Sequence, residues 1–435
     1  MKTLKKVVLA ALCLFAANGT FAQQKGDTSS TVSETPAASG SGTDTTATNY
    51  REKMRNLQEQ MRNVQRQMND LRAQQSKLNM EHVQAMGDKI NDRSFSIGGS
   101  DENGHRTYMR GDDYIAKKIA SGEVKEKTKP YTKSYTISAT DKIAIDNQFG
   151  KVNVNTWAKN EVKVDVEIKA DGDNDTEAQK ILDRVTIKDG KEGEGVSFKT
   201  DIEKTGEENN WGSWDDDGKS HVRRVVVNYT VYMPAKNALS ISNRFGEVTV
   251  PDLSGKLSLD VKFGNLTAKD LSNPMNEINV KFGDATIANL NSDEFNISYG
   301  TAKIGTADKL KAKVSFAGLD VDKLTSSGDI TLKYTRGGTG FKVGELDKNL
   351  KSLNIDASFS KVVLNPKDNF DFDISTKMGG FNYDDSAVSV TNTTPTDGER
   401  KYYNPNKTYK GHAGKGGSAK TVTIKSNFTS IKFDQ

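Results

Sequence analysis

The chain has 435 residues, of which 34% are hydrophobic, and a formal net charge of +4. So small an excess over that length excludes a chain built to neutralise nucleic acid, and no nucleic-acid partner is expected. A single cysteine excludes a disulfide framework and a cysteine metal site.

In chain order, residues 1–22 read as a cleavable export signal. Lys2, Lys5 and Lys6 are its basic start, Val7 to Ala17 its apolar run, and Thr20-Phe21-Ala22 its cleavage site. The apolar run is too short to stay in a bilayer, so the mature chain is expected to have no transmembrane segment. Cys13 follows Leu12, where a lipid-anchor signal wants a small residue, so lipidation is not expected. The destination is then the periplasm or cell surface of a Gram-negative bacterium. Residues 23–48 are rich in Ser, Thr, Gly and Ala and read as a flexible linker.

Residues 49–93 change character. Tyr50, Met54, Leu57, Met61, Val64, Met68, Leu71, Gln75 and Leu78 recur at steps of four and three, a heptad seam broken only by Gln75. This predicts a coiled-coil helix about 65 Å long at 1.5 Å per residue. A homo-oligomer formed through this helix is expected, and folding back onto the rest of the chain is the alternative. Methionine at the seam specifies oligomer number weakly. Residues 94–133 read as a second polar linker.

Strands are predicted from Tyr135. Ile143, Ile145, Phe149, Val152 and Val154 alternate, and so do Val162, Val164, Val166 and Ile168. A short helix capped by Asp175 or Thr176 runs through Arg184. Strands resume at Val185–Ile187, Val196–Phe198 and Val222–Met233, around a polar insertion at 203–220.

From Asn243 one phrase repeats. Asn243-Arg244-Phe245-Gly246-Glu247-Val248 is followed by Val261-Lys262-Phe263-Gly264-Asn265-Leu266 and Val280-Lys281-Phe282-Gly283-Asp284-Ala285. Looser copies fall at Tyr299, Phe316, Tyr334 and Phe359, with steps of 18, 19, 17, 17, 18 and 25 residues. Asn147-Gln148-Phe149-Gly150 is an earlier copy and Ser426-Asn427-Phe428 a later one. A fixed period of this length predicts a stacked repeat. Within each copy apolar and polar residues alternate, as in Leu257, Leu259 and Val261 against Ser258, Asp260 and Lys262. The expected fold class is therefore all-β: a β-solenoid over residues 134–435, each rung a strand, a corner and a strand. Glycine is expected to supply the positive φ of the corner. Phe245, Phe263, Phe282, Tyr299, Phe316, Tyr334 and Phe359 are expected to form an inward aromatic ladder. Truncating Phe263 or Phe282 to Ala would then cost about 3–5 kcal/mol. The stack is expected to end near Asp373-Ile374. A long loop at 388–418 and a final strand, Val422–Phe433, closing the last rung complete the chain.

Little chemistry emerges. His82, His105, His221 and His412 are scattered, with no carboxylate at ligand spacing nearby. Asp171-Gly172-Asp173-Asn174-Asp175 starts like a calcium loop but has Thr176 and Leu182 where the loop needs Gly and Glu. Gly411 to Gly417 lacks the order of a phosphate loop. No catalytic group, metal or cofactor is expected. One outward pattern stands out. Arg244, Lys262, Lys281 and Lys333 each precede the aromatic of their repeat, with Ser298 and Ser315 interrupting the series. In register they form a basic stripe able to grip an anionic polysaccharide, or one that only discourages aggregation between sheets.

The export signal, the Phe-Gly-x-Val phrase and the segment from Asp175 to Val185 between early strands resemble the exported bacterial β-solenoid proteins described as "putative adhesins". These are related to the head domain of autotransporter adhesins and form a domain family of unknown function. The resemblance covers roughly residues 134–435 and implies surface adhesion; the leading expectation is a non-enzymatic, adhesin-like binding module of the envelope or surface, with polysaccharide or envelope components as its expected partners. Nothing at the C-terminus reads as the membrane strands of an autotransporter. The alternatives are a polysaccharide-active enzyme on a β-helix, and a periplasmic accessory of envelope sensing.

Overall fold

The computed structural model describes residues 96–100, 106–203, 212–216, 219–335, 340–395 and 405–433. The expected export signal, first linker and coiled-coil helix lie outside the described residues. The described chain is mostly β, with two helices, Gly111–Ser121 and Asp175–Asp183. No described helix is long and apolar enough to cross a membrane.

The repeats stack in parallel and in register. Leu239–Arg244 pairs with Leu257–Lys262, which pairs with Glu277–Lys281. On the far side of each corner Val248–Val250 pairs with Leu266–Leu271, which pairs with Ala285–Ser298. The alternation of the sequence becomes a burial pattern, with Leu257, Leu259 and Val261 buried and the residues between them half-buried. Register turns that pattern into columns. Ile145, Ile241, Leu259, Ile278, Phe295, Ala312, Ile330 and Ile355 lie side by side, one per rung, all within the core. Fully buried Phe295 has the small Ala312 beside it, so volume is shared between rungs.

Chain order and stacking order diverge at the far end. Thr421–Asn427 lies between Ser352–Ser358 and Phe370–Lys377, parallel to both. The final strand does not close the last rung, as the repeat order suggests; it is inserted one rung earlier. Val388–Thr394 and Asn406–Ala413, expected to be loop, form an antiparallel pair, and the second of these also pairs with Phe370–Lys377.

The near end also differs from expectation. Lys125–Thr136, placed in a linker by its polarity, pairs antiparallel with Glu161–Gly172. None of its residues is buried, and only Tyr131 and Tyr135 pack on the core, so it carries no apolar alternation to read. Its lysines and Pro130 suit the open edge of a sheet. Within the polar insertion, Gly212–Asp216 pairs antiparallel with the start of Lys219–Met233. The Asp175–Asp183 helix is capped by Asn174, one residue before the expected cap, whose side-chain oxygen accepts from the Glu177 amide at 3.0 Å.

Candidate functional site: a ladder of rings beside a row of cations

Corner geometry decides where the rings go. Each strand stops at the residue before the ring. The ring residue itself adopts the left-handed conformation, with φ from 49° to 65° at Phe149, Phe245, Phe263, Phe282, Tyr299, Phe316, Tyr334, Phe359 and Phe428. The following glycine does not supply the positive φ. It is required by close approach: a Cβ on Gly264 or Gly283 would stand 1.9 Å from the carbonyl oxygen of the corner glycine in the rung before.

This overturns the inward ladder. Phe263 has the sequence parity of buried Val261, but the alternation ends with the strand at Lys262, and the positive φ swings the ring to the surface. Phe282, Tyr299, Phe316 and Tyr334 are 37%, 39%, 49% and 47% exposed. The rings nevertheless stack on one another. From Phe149 to Phe428 nine rings follow at eight steps of 4.7–5.2 Å, within 10° of parallel. Faces are covered by neighbours, and Phe149, at the first step, also packs against the core. Phe149 and Phe428 extend the seven-residue expectation, and both were legible in the copies of the phrase. Met378 takes the same conformation in the next rung, φ 52°, and is 45% exposed; only the short string Lys377-Met378-Gly379 hints at it.

The cations form the row that their spacing predicts. Arg244 is in register with Lys262, Lys262 with Lys281, Lys281 with Ser298, Ser298 with Ser315, and Ser315 with Lys333. The row continues through Ser358 and Asn427 to exposed Lys377. Row and ladder are fastened together: each ring residue's amide donates to the carbonyl of the row residue one rung on, Phe282 to Ser298 at 3.0 Å and Phe316 to Lys333 at 3.0 Å. Lys262 Nζ is 2.8 Å from Asp260 Oδ2. Arg244, Lys281 and Lys333 form no ion pair among the described residues.

Exposure is not uniform along the ladder: Phe245 and Phe263 are half-buried, whereas Phe282, Tyr299, Phe316 and Tyr334 are exposed. The middle of the ladder is therefore a stretch of bare ring edges with Lys281 at one end and Lys333 at the other.

Elsewhere on the outward face a shallow depression of about 280 Å³ is lined by Ser240, Asp260, Glu277, Asn279, Glu294 and Asn296. Its carboxylates are committed: Glu277 to Lys256 at 2.6 Å, Glu294 to Lys313 at 3.0 Å, Asp260 to Lys262. The Glu294 carboxyl is held below its ordinary range by the Asn296 amide and by Lys313. One pairing is invisible in the sequence. His221 Nδ1 lies 2.5 Å from Asp173 Oδ2, whose other oxygen accepts from the Val222 amide at 2.7 Å. The partners are 48 residues apart. Among the described residues no third His, Cys, Asp or Glu completes a metal-binding group.

No family model and no curated protein matches the chain. It is similar to solved structures described as a "putative adhesin" from Parabacteroides merdae (12% identity, TM-score 0.30, covering 71% of this chain and 97% of that one) and a "putative adhesin" from Bacteroides fragilis (12%, TM-score 0.29, 70% and 97%). A third is described as a "putative lipid binding protein" from Parabacteroides distasonis (12%, TM-score 0.25, 70% and 97%). The descriptions of the first two are the one that the sequence resemblance implies.

Proposed function

We propose that the chain is an exported, non-enzymatic β-solenoid protein of the envelope or cell surface, an adhesin-like binding module multimerised by residues 49–93. The observation that carries this reading is the ladder itself. Stacked rings run from Phe149 to Phe428, and four in the middle, Phe282, Tyr299, Phe316 and Tyr334, stay more than a third exposed although the inward columns already provide a continuous core. Exposed apolar surface of that extent is a mark of a contact surface. Weak contacts repeated along it gain strength when several copies are tied together. The alternative of a polysaccharide-active enzyme needs free carboxylates converging in one groove, whereas the carboxylates of the outward depression are paired with lysines.

Protease shaving of intact cells, followed by blotting for the rung domain, tests the placement. Loss of the protein with a periplasmic control intact is the expected result. Full protection would put it in the periplasm and leave an accessory of envelope sensing as the better reading. Sedimentation of the full chain against a chain lacking residues 49–93 tests the oligomer, and an unchanged mass would remove the coiled coil from the account.

A further inference from the structure

We propose that the middle of the ladder, from Lys281 to Lys333, is a binding site for a linear anionic polysaccharide lying along the stack. The inference rests on the binding-module reading and names its ligand. Three features argue for it. First, the ring faces are closed by their neighbours at 4.7–5.1 Å. A sugar cannot stack flat on them, so neutral sugars gain little. The exposed edges carry the positive end of the ring quadrupole and favour oxygen and negative charge. Second, Lys281 and Lys333 are free of ion pairs among the described residues and stand three rungs apart, about 15 Å at about 4.8 Å per rung. Between them lie the hydroxyls of Ser298 and Ser315 in the same row and the phenol of Tyr299 in the ladder, with the phenol of Tyr334 beside Lys333 at the end. Cations at both ends with hydroxyls between match a polymer that carries spaced carboxylates or sulfates on a hydroxyl-rich backbone. Third, the shape suits a thread. The run of exposed rings from Phe282 to Tyr334 is about 15 Å long, at about 4.8 Å per rung, and one ring wide. That is short of the ~800 Å² per partner that a stable protein dimer buries.

The test uses the full chain and three probes: polygalacturonate, heparin, and neutral dextran. Affinity is measured at low and at physiological salt for the parent, for Lys281→Gln with Lys333→Gln, and for Lys303→Gln with Lys342→Gln. The last pair removes the same charge from exposed positions off the row, and circular dichroism checks folding of both variants. The expected result is polyanion binding that weakens with salt, falls roughly tenfold in the row variant, is unchanged in the off-row variant, and is absent with dextran. Equal binding by both variants, equal binding of dextran, or equally tight binding of duplex DNA would each overturn the proposal. So would concentration-dependent self-association abolished by Phe316→Ser, which would assign the ladder to a second copy of the chain. Shaving is read separately: a surface protein that binds no polyanion loses the ligand but keeps the binding-module reading.

Discussion

The ring of Phe282 lies 4.7 Å from that of Tyr299 and 5° from parallel, and both residues hold φ near +57°. A side chain with a Cβ pays about 1–2 kcal/mol to sit in that conformation, and a stacked pair returns about 0.5–1.5 kcal/mol. The two nearly cancel. The ladder is therefore a consequence of the stack, and the inward columns hold the stack together.

Two phenylalanines separate these roles. Phe295 is fully buried and Phe316 is 49% exposed. Phe295→Ala is expected to cost about 3–5 kcal/mol. Phe316→Ala, which loses two stacking contacts and part of its burial, is expected to cost about 1–2 kcal/mol. Chemical denaturation of the two variants measures both, and equal losses would contradict the assignment.

Gly283 is expected to tolerate no side chain. A Cβ there meets the Gly264 carbonyl oxygen at 1.9 Å, and relief requires separating two hydrogen-bonded rungs. Gly283→Ala is expected to cost about 3 kcal/mol, seen as a large drop in melting temperature. Gly193→Ala gives the contrast: that glycine, unlike Gly283, has a positive φ of 54°, but a Cβ there would meet nothing within 4 Å, so only backbone strain is incurred. A Gly283 variant as stable as the Gly193 variant would remove close approach as the reason for the corner glycine.

The repeat, its register and the row Arg244, Lys262, Lys281 and Lys333 were all legible, because parallel in-register stacking converts equal spacing in sequence into adjacency in space. The side taken by the rings was not. Period-two parity holds only inside a strand, and Phe263 lies one residue beyond its end. The strand Lys125–Thr136 was missed because an edge strand with no buried residue has no apolar alternation. The insertion of Thr421–Asn427 between earlier rungs follows from long-range pairing that local pattern does not encode. The same holds for His221 and Asp173.

Asn243 explains one part of the phrase. It is fully buried, and its amide donates to the Gly150 and Gly246 carbonyls at 3.1 and 2.9 Å, joining two corners. Later rungs have Val261 and Val280 at this position. Asn243→Ala is expected to cost about 1–3 kcal/mol, because its removal strips buried carbonyls of a donor. Thermal melting of this variant checks it, and a change within error would make the asparagine dispensable.

Alkaline stability is expected to depend on Tyr229. Burial pushes its phenol up to about 12, against about 10 in an unfolded chain. The Thr200 hydroxyl donates to Asn147 Oδ1 at 2.8 Å, so the Tyr229 hydroxyl, 2.9 Å from Thr200 Oγ1, is the donor in that pair. Below pH 10 the phenol is neutral in both states and its contribution is complete. As pH rises from about 10 to about 12 the unfolded phenol ionises first, and stability falls. Melting temperatures measured across that range should fall less steeply for Tyr229→Phe than for the parent. Parallel curves would show that this phenol has no such role.

The central claim is that the middle of the ladder is an open, ligand-binding surface. Nitration of tyrosines in the full chain, with and without polygalacturonate, tests it most directly. The account predicts that Tyr299 and Tyr334 react readily, that buried Tyr229 does not, and that the polyanion protects the first two. Tyr299 and Tyr334 as unreactive as Tyr229 in the free protein would contradict it, since the rings would then already be covered.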